Sequence, residues 1–255
     1  MSTPSYSRVI LVTGANTGIG FALVKLLAER GQTVYLGARS EEKGKEAQAK
    51  LKNEHGLTVH FVQLDVTDAA SIQKARAFIE EKEGHLDVLV NNAAVSGKIV
   101  KPSESDSSEY RDNFETNVFG LIRNTHEFIP LIRKAPVGHR AIVNVTSGLG
   151  SNALQAANDH FSPEFGVHAH AFNAYSSTKA ALNSYTIALA HELGPEKIRV
   201  NAVCPGLVST NLNNYVKGGK TTEEGANHIL PWALLGPDDD EKHCKYFSQG
   251  QPIPW

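Results

Sequence analysis

A chain of 255 residues, 41% hydrophobic and 20% charged, is long enough to bury a large core as one α/β domain or two small ones. Its formal net charge of −2, with basic residues scattered among acids, excludes the basic footprint of a nucleic-acid binder. Two cysteines, Cys204 and Cys244, exclude a disulfide framework or a thiolate metal site and fit a reducing compartment. No apolar run approaches membrane-spanning length, and the start "MSTPSYSRVILVTG" lacks a charged region before a long apolar segment. The expectation is a soluble, cytoplasmic protein that does not engage a membrane.

Short β-rich apolar runs alternate with helical patterns along the chain. In order, "VILV" (9–12), "TVYL" (33–36), "VHFV" (59–62), "DVLV" (87–90), "AIVNV" (141–145) and "IRVNAV" (198–203) read as strands. Such runs, bounded by Gly or by charged helices, suit strands buried on both faces of a parallel sheet. After the first, Ile19, Leu23, Leu26 and Leu27 form an apolar helical stripe that Gly31 is placed to cap. A later helix starts near Thr67 and Asp68, whose side chains can accept from its free N–H groups. It turns Ile72, Ala75 and Ile79 inward and ends near Gly84. Pro130 predicts a kink or break in the long helix after Asn117. The acidic run 238–240, followed by Lys242, reads as a solvated turn. With no internal repeat, linker or composition break, this succession predicts a single domain over residues 1–255. Its fold class is α/β: a doubly wound parallel sheet in a Rossmann-type three-layer sandwich.

Residues 148–173 fit neither period, and a long irregular segment inside a compact domain is usually functional or mobile. Trp232, with Leu230, Leu234 and Leu235, reads as core or as part of a substrate lid spanning 211–232. His160, His168 and His170 show no spacing that completes a metal site and read as surface or pocket-wall residues.

"VILVTGANTGIG" places Gly14, Gly18 and Gly20 between the first strand and the first helix. Glycines there permit a tight turn and close approach of the backbone to a pyrophosphate, which the helix N-terminus attracts. The spacing is G-x-x-x-G-x-G, so the position after a strand and before an amphipathic helix carries the reading. At the end of the second strand an acid would bind the ribose hydroxyls of NAD(H). "YLGARS" instead offers Arg39, suited to a 2′-phosphate, with Ser40 beside it, which favours NADP(H) over NAD(H).

These residues resemble the short-chain dehydrogenase/reductase family, and the resemblance covers nearly the whole chain through motifs in the expected order. "TGANTGIG" looks like its cofactor turn, so Gly14, Asn16, Thr17, Gly18, Ile19 and Gly20 are the matching positions. "LDVTD" supplies Asp65 and Val66 at the adenine position, and "NNAA" supplies Asn91 and Ala93, which the resemblance places on the adenosine side. "TNVFG" puts Asn117 at the helix-embedded asparagine, "VTSGLG" puts Ser147 at the catalytic serine, and "YSSTK" supplies Tyr175 and Lys179. In "PGLVST", Pro205, Gly206, Val208 and Thr210 match the segment that cups the nicotinamide. Two departures stand out. Thr17 is uncharged where some NADP-dependent members carry a basic residue, and the Ser147–Tyr175 separation exceeds the usual family spacing. The longer segment and the tail "YFSQGQPIPW" resemble the carbonyl-reductase-like branch, whose insertion obstructs dimerisation; a monomer is favoured over a dimer.

Reducing a carbonyl needs a hydride at carbon and a proton at oxygen. Tyrosine can supply the proton if its pKa, near 10 unperturbed, is brought down, and a lysine four residues on shares its helix face and favours the tyrosinate. By resemblance Lys179 also binds the nicotinamide ribose, Ser147 holds the substrate oxygen, and Asn117 holds a water linking Lys179 to solvent. The expected substrate is a small-molecule ketone or aldehyde, or the corresponding alcohol, in a pocket walled by residues 96–103, 148–173 and 211–232. Two other readings use the same fold: a non-catalytic NADP(H)-sensing protein, and a non-redox cyclase or dehydratase.

Overall fold

The computed structural model describes residues 6–157 and 169–255. The strands are β1 (Val9–Val12), β2 (Thr33–Ala38), β3 (His60–Gln63), β4 (Val88–Asn91), β5 (Ala141–Val145), β6 (Arg199–Cys204), β7 (Tyr246–Ser248) and β8 (Gln251–Pro252). The helices are α1 (Gly18–Glu29), α2 (Glu41–His55), α3 (Ala69–Glu83), α4 (Ser107–Phe114), α5 (Leu121–Lys134), α6 (Asn152–Ala157), α7 (Asn173–Leu193) and α8 (Thr222–Ala233). The strands form one sheet in the order β3-β2-β1-β4-β5-β6-β7-β8, in which only the β7–β8 pair is antiparallel. This is the doubly wound single domain that the alternating pattern predicts, lengthened by a closing hairpin, β7–β8, that the pattern did not reveal.

Successive side chains along a strand face opposite ways, and here both sides are apolar. Ile10 and Val12 enter one core with Leu23 and Leu27 of α1, Leu51 of α2 and Ile229 of α8. Val9 and Leu11 enter the other with Ile79 of α3, Phe128 of α5 and Leu189 of α7. The central strands β1, β4, β5 and β6 are buried along their whole length. β3 departs from the expected two-sided burial, with His60 and Gln63 exposed, because it is the edge of the sheet.

Helix ends follow their local chemistry. Gly31, at φ 70°, closes α1 through its N–H to the Ala28 carbonyl. Asp68 caps α3 by accepting from the Ala70 N–H at 2.9 Å, and Gly84 ends it at φ 74°. Thr67 is not a cap; its N–H and hydroxyl both donate to Asp65 Oδ1. The break expected at Pro130 is absent, since α5 runs from Leu121 to Lys134 through it. The irregularity lies upstream, where Glu115–Gly120 forms a π-helical turn around Asn117. There Gly120 passes so close to the segment after β3 that a Cβ would stand 2.7 Å from the Val66 carbonyl oxygen.

Trp232 belongs to the core: it is buried, with its ring centroid 4.6 Å from that of Phe247, and α8 packs on α1. Of the stretch 211–232 that the sequence marks as a lid, α8 is therefore structural. Residues 158–168 of the irregular segment 148–173, among them His160 and His168, lie outside the described residues; His170 is exposed. Asp239 accepts from the Gly236 N–H and pairs with Lys242, while Asp240 pairs with Lys197 and Arg199. Among the described residues no helix is long and apolar enough to cross a membrane.

Removing the fully buried Phe128 ring by Phe128→Ala is expected to cost roughly 3–5 kcal/mol. Deleting the α3 cap by Asp68→Ala is expected to cost about 1 kcal/mol. Urea unfolding midpoints test both; equal losses would refute this ranking.

Candidate active site

β1 and β4 pair with Val12 opposite Val90, and the chain runs outward from them in both directions across the sheet. Such a switch point leaves a crevice beyond the C-terminal ends of the strands. The turn after β1 enters it. Gly14 and Gly18 adopt φ values of 62° and 63°. A Cβ on Gly14 would stand 2.8 Å from Ala93 Cα, and one on Gly20 would stand 2.6 Å from Asn92 Nδ2. At Gly18 the nearest atom, on Thr210, is 3.7 Å from such a Cβ, so the backbone conformation alone calls for glycine there. Thr17 occupies the N-cap of α1 without a side-chain bond, and the first turn carries no acid. The N–H groups of Gly18, Ile19 and Gly20 have no partner among the described residues. With Asn16 half-buried beside them, these groups form a cradle that fits an anionic pyrophosphate.

Asn92 builds that cradle. Its amide donates to the carbonyls of Thr13 (2.9 Å) and Gly14 (3.2 Å), while Thr13 Oγ1 accepts from the N–H groups of Asn92 and Ala93. Ala93 thus lies against the turn. Asn91 does not, because its side chain is turned inward, against the expectation that it lines the adenosine side. It donates to Thr125 Oγ1 and Asn144 Oδ1 and accepts from Asn124, all within 3.0 Å.

Arg39 is exposed just beyond β2, and its guanidinium has no bond or ion pair among the described residues. Ser40 instead caps α2, accepting from the Lys43 N–H. Asp65 keeps one carboxylate oxygen for Thr67 and leaves the other without a partner among the described residues. Val66 is buried beside it. Beyond β6, Pro205 and Val208 are buried and Gly206 takes φ 81°. Asn213 ties this loop by donating to the Val208 carbonyl and accepting from the Thr210 N–H.

Tyr175 and Lys179 lie in the first two turns of α7, packed against the end of β5. Lys179 Nζ is 5.5 Å from the Tyr175 ring centroid and donates to the Val145 carbonyl at 2.9 Å. Burial lowers its pKa to about 8, since a desolvated ammonium is disfavoured. Burial also pushes the Tyr175 phenol above its ordinary range, an effect that nearby Cys204 adds to and the Ser147 hydroxyl opposes. The downward pull expected from Lys179 is therefore not the net result within the polypeptide, because desolvation dominates both groups. Ser147 follows β5 and accepts from the Leu149 N–H at 3.2 Å.

Asn117 sits in the π-turn and is buried. Its amide accepts from the Val95 N–H and donates to the Val95 carbonyl and to Thr178 Oγ1. Thr178 in turn donates to the Tyr175 carbonyl at 2.7 Å. The fold thus joins Asn117, Ser147, Tyr175 and Lys179, and adds residues that sequence reasoning missed. Thr178 and Asn92 were legible as members of quoted motifs. Cys204, whose Sγ accepts from the Gly148 and Gly206 N–H groups, had no such signal.

Comparison with known proteins agrees with this geometry. The family model described as short chain dehydrogenase matches residues 8–220. The chain is 37% identical to the short-chain dehydrogenase anuI of Penicillium roqueforti, over 89% of each chain. It is 34% identical to carbonyl reductase [NADPH] 1 of Rattus norvegicus, over 97% of this chain and 98% of that one. Salutaridine reductase from Papaver somniferum superposes with a TM-score of 0.78 at 32% identity, covering 94% of this chain and 99% of that one. A short chain dehydrogenase from Escherichia coli CFT073 complexed with NADPH superposes with a TM-score of 0.78 at 26% identity, over 96% and 97% of the two chains.

Asn92→Ala removes two bonds that shape the glycine turn and is expected to weaken dinucleotide binding about tenfold. Titration of nucleotide fluorescence measures this, and unchanged affinity would mean that the turn holds its shape without the amide.

Proposed function

The chain belongs to the short-chain dehydrogenase/reductase family of oxidoreductases, and from that premise we propose that it interconverts a ketone or aldehyde and the corresponding alcohol with NADP(H). The observation that carries the reading is Tyr175, Lys179 and Ser147 gathered beyond the C-terminal end of β5, at the same end of the parallel sheet as the glycine cradle after β1. The carbonyl-reductase and salutaridine-reductase relatives support a carbonyl substrate, and the neighbour complexed with NADPH supports the cofactor.

In this reading the turn Gly14–Gly20 holds the pyrophosphate, Arg39 the 2′-phosphate, Asp65 and Val66 the adenine, and Pro205, Gly206, Val208 and Thr210 the nicotinamide. When bound, the nicotinamide supplies or accepts the hydride. Ser147 donates a hydrogen bond to the substrate oxygen and fixes its position. Tyr175 donates the proton to that oxygen in reduction and removes it in oxidation. Its phenol is protonated within the polypeptide, the state that reduction needs. Lys179 contacts the ribose hydroxyls and supplies positive charge to the tyrosinate left behind. Both amide hydrogens of Asn117 are engaged, so a relay water near Lys179 would rest on Oδ1 or on main-chain oxygens of the π-turn. The protein acts in soluble, cytoplasmic surroundings and as a monomer.

Tyr175→Phe is expected to abolish turnover in a screen of carbonyl compounds with NADPH while leaving NADPH binding nearly intact; a variant that still turns over would sink the proposal. Arg39→Ala should weaken NADPH binding roughly 10- to 100-fold and leave NADH binding unchanged, and equal loss for both would remove Arg39 from 2′-phosphate recognition. Lys179 is cationic below about pH 8 and neutral above it. Accordingly kcat/KM for the dinucleotide, which reports groups of the free enzyme, should fall as pH rises through that value. Lys179→Arg, permanently charged, should lose that falling limb even if its overall rate is low.

A further inference from the structure

The last parallel strand of the sheet reaches beneath the serine that follows β5. Tyr246, on β7, is buried, and its hydroxyl donates to the Ser147 carbonyl at 2.5 Å. That carbonyl also accepts from the Gly150 N–H at 2.8 Å, which closes the short helical turn after Ser147. Three further contacts fix the same segment. Asn183 of α7 accepts from Thr146 Oγ1 and donates to the Gly150 carbonyl, and Cys204 Sγ accepts from the Gly148 N–H. The Tyr246 ring lies 5.2 Å from that of Trp255, and Ser151 Oγ donates to the Pro254 carbonyl. The hairpin and the tail beyond it therefore hold both ends of the segment that carries the Ser147 hydroxyl.

We propose that Tyr246 is a positioning residue for the reaction: through the Ser147 carbonyl it fixes the direction in which the Ser147 hydroxyl meets the substrate oxygen. It is supplied by the C-terminal tail, as is the Pro254 carbonyl that accepts from Ser151, so the tail shapes the active site from behind the serine. The ring packs in the sheet; the hydroxyl is the part that reaches the serine. Burial pushes the Tyr246 phenol upward, so it remains a donor throughout the working pH range and does not itself titrate with activity. Catalytic positioning is sensitive to small displacements, because a misplaced donor loses much of its effect on the developing charge.

The inference rests on the oxidoreductase reading, and its test has one arm that needs no turnover. Tyr246→Phe keeps the ring and removes the hydroxyl. Hydrogen exchange at the amides of Leu149 and Gly150 should accelerate about tenfold, with the rest of the sheet unchanged. With a carbonyl substrate, kcat should fall about tenfold at unchanged NADPH affinity, with a pH profile of unchanged shape. In a Ser147→Ala background the same substitution should cost nothing further in kcat, since the hydroxyl it aims is gone. Additive losses would show that Tyr246 acts on general stability and would overturn the proposal, as would unaltered exchange together with unaltered kcat. If no carbonyl compound is turned over by the parent protein, the oxidoreductase reading fails, while the exchange arm still reports whether Tyr246 holds the Ser147 segment. If Tyr246→Phe does not fold, Tyr246→Trp, which fills the space and donates from a different place, gives the same exchange and cycle measurements.

Discussion

The parallel pairing of β1 with β4 is the constraint on which the rest of the structure depends. β1 is followed by a helix and β2 on one side, and β4 by helices and β5 on the other. Right-handed crossovers then place α1, α2 and α8 on one face and α3, α5 and α7 on the opposite one. Neither crossover can fill the gap at the C-terminal ends of the two central strands. The glycine turn, Ala93 and Asn92 meet there because the register leaves them nowhere else. An added methyl at Gly14 would collide with backbone rather than with a movable side chain, so the closeness is built into the sheet.

A second theme is the use of buried amides to bind the layers in one register. Asn91 of β4 and Asn144 of β5 stand opposite each other and connect to Thr125 of α5 and Thr186 of α7. Asn117, Thr178 and the Tyr175 carbonyl form a parallel chain nearer the site. Each link would be costly to leave unmade in an apolar interior. Sliding α5 or α7 along the sheet would break several at once, and α7 carries both Tyr175 and Lys179. The polar network thus fixes the relative height of acid, lysine and serine more tightly than apolar packing alone.

Burial has a distinct effect on the charged residues. Lys179 is held in the interior with the Val145 carbonyl as its acceptor, a placement that lowers its proton affinity. Tyr175 is shifted in the opposite direction by the same desolvation. Both shifts run toward the neutral forms, yet below about pH 8 Lys179 keeps its charge beside a protonated phenol, so one positive charge stands ready for the tyrosinate. Beside them, Cys204 and Tyr246 anchor the backbone of the Ser147 segment.

Much of this was legible in sequence. All six predicted strands match within a residue or two at each end, and Asp68, Gly31 and Gly84 mark helix ends, because periodicity and capping are local chemistry. The motifs also placed Gly14, Asn117, Ser147, Tyr175 and Lys179 in one functional order, since each is read against neighbours a few residues away. What the sequence could not decide depended on residues far apart in the chain. Asn91 turned inward because Asn124 and Asn144 wait there, and Trp232 became core because α1 and Phe247 cover it. The π-turn at Asn117, rather than Pro130, interrupts the long helix where Asn117 bonds Val95 and Gly120 presses on Val66. Nothing in the pattern of the tail marked Tyr246, which the sheet brings under Ser147, 99 residues earlier. Local pattern determines which elements form; which polar group meets which depends on long-range register, and that only the folded sheet sets.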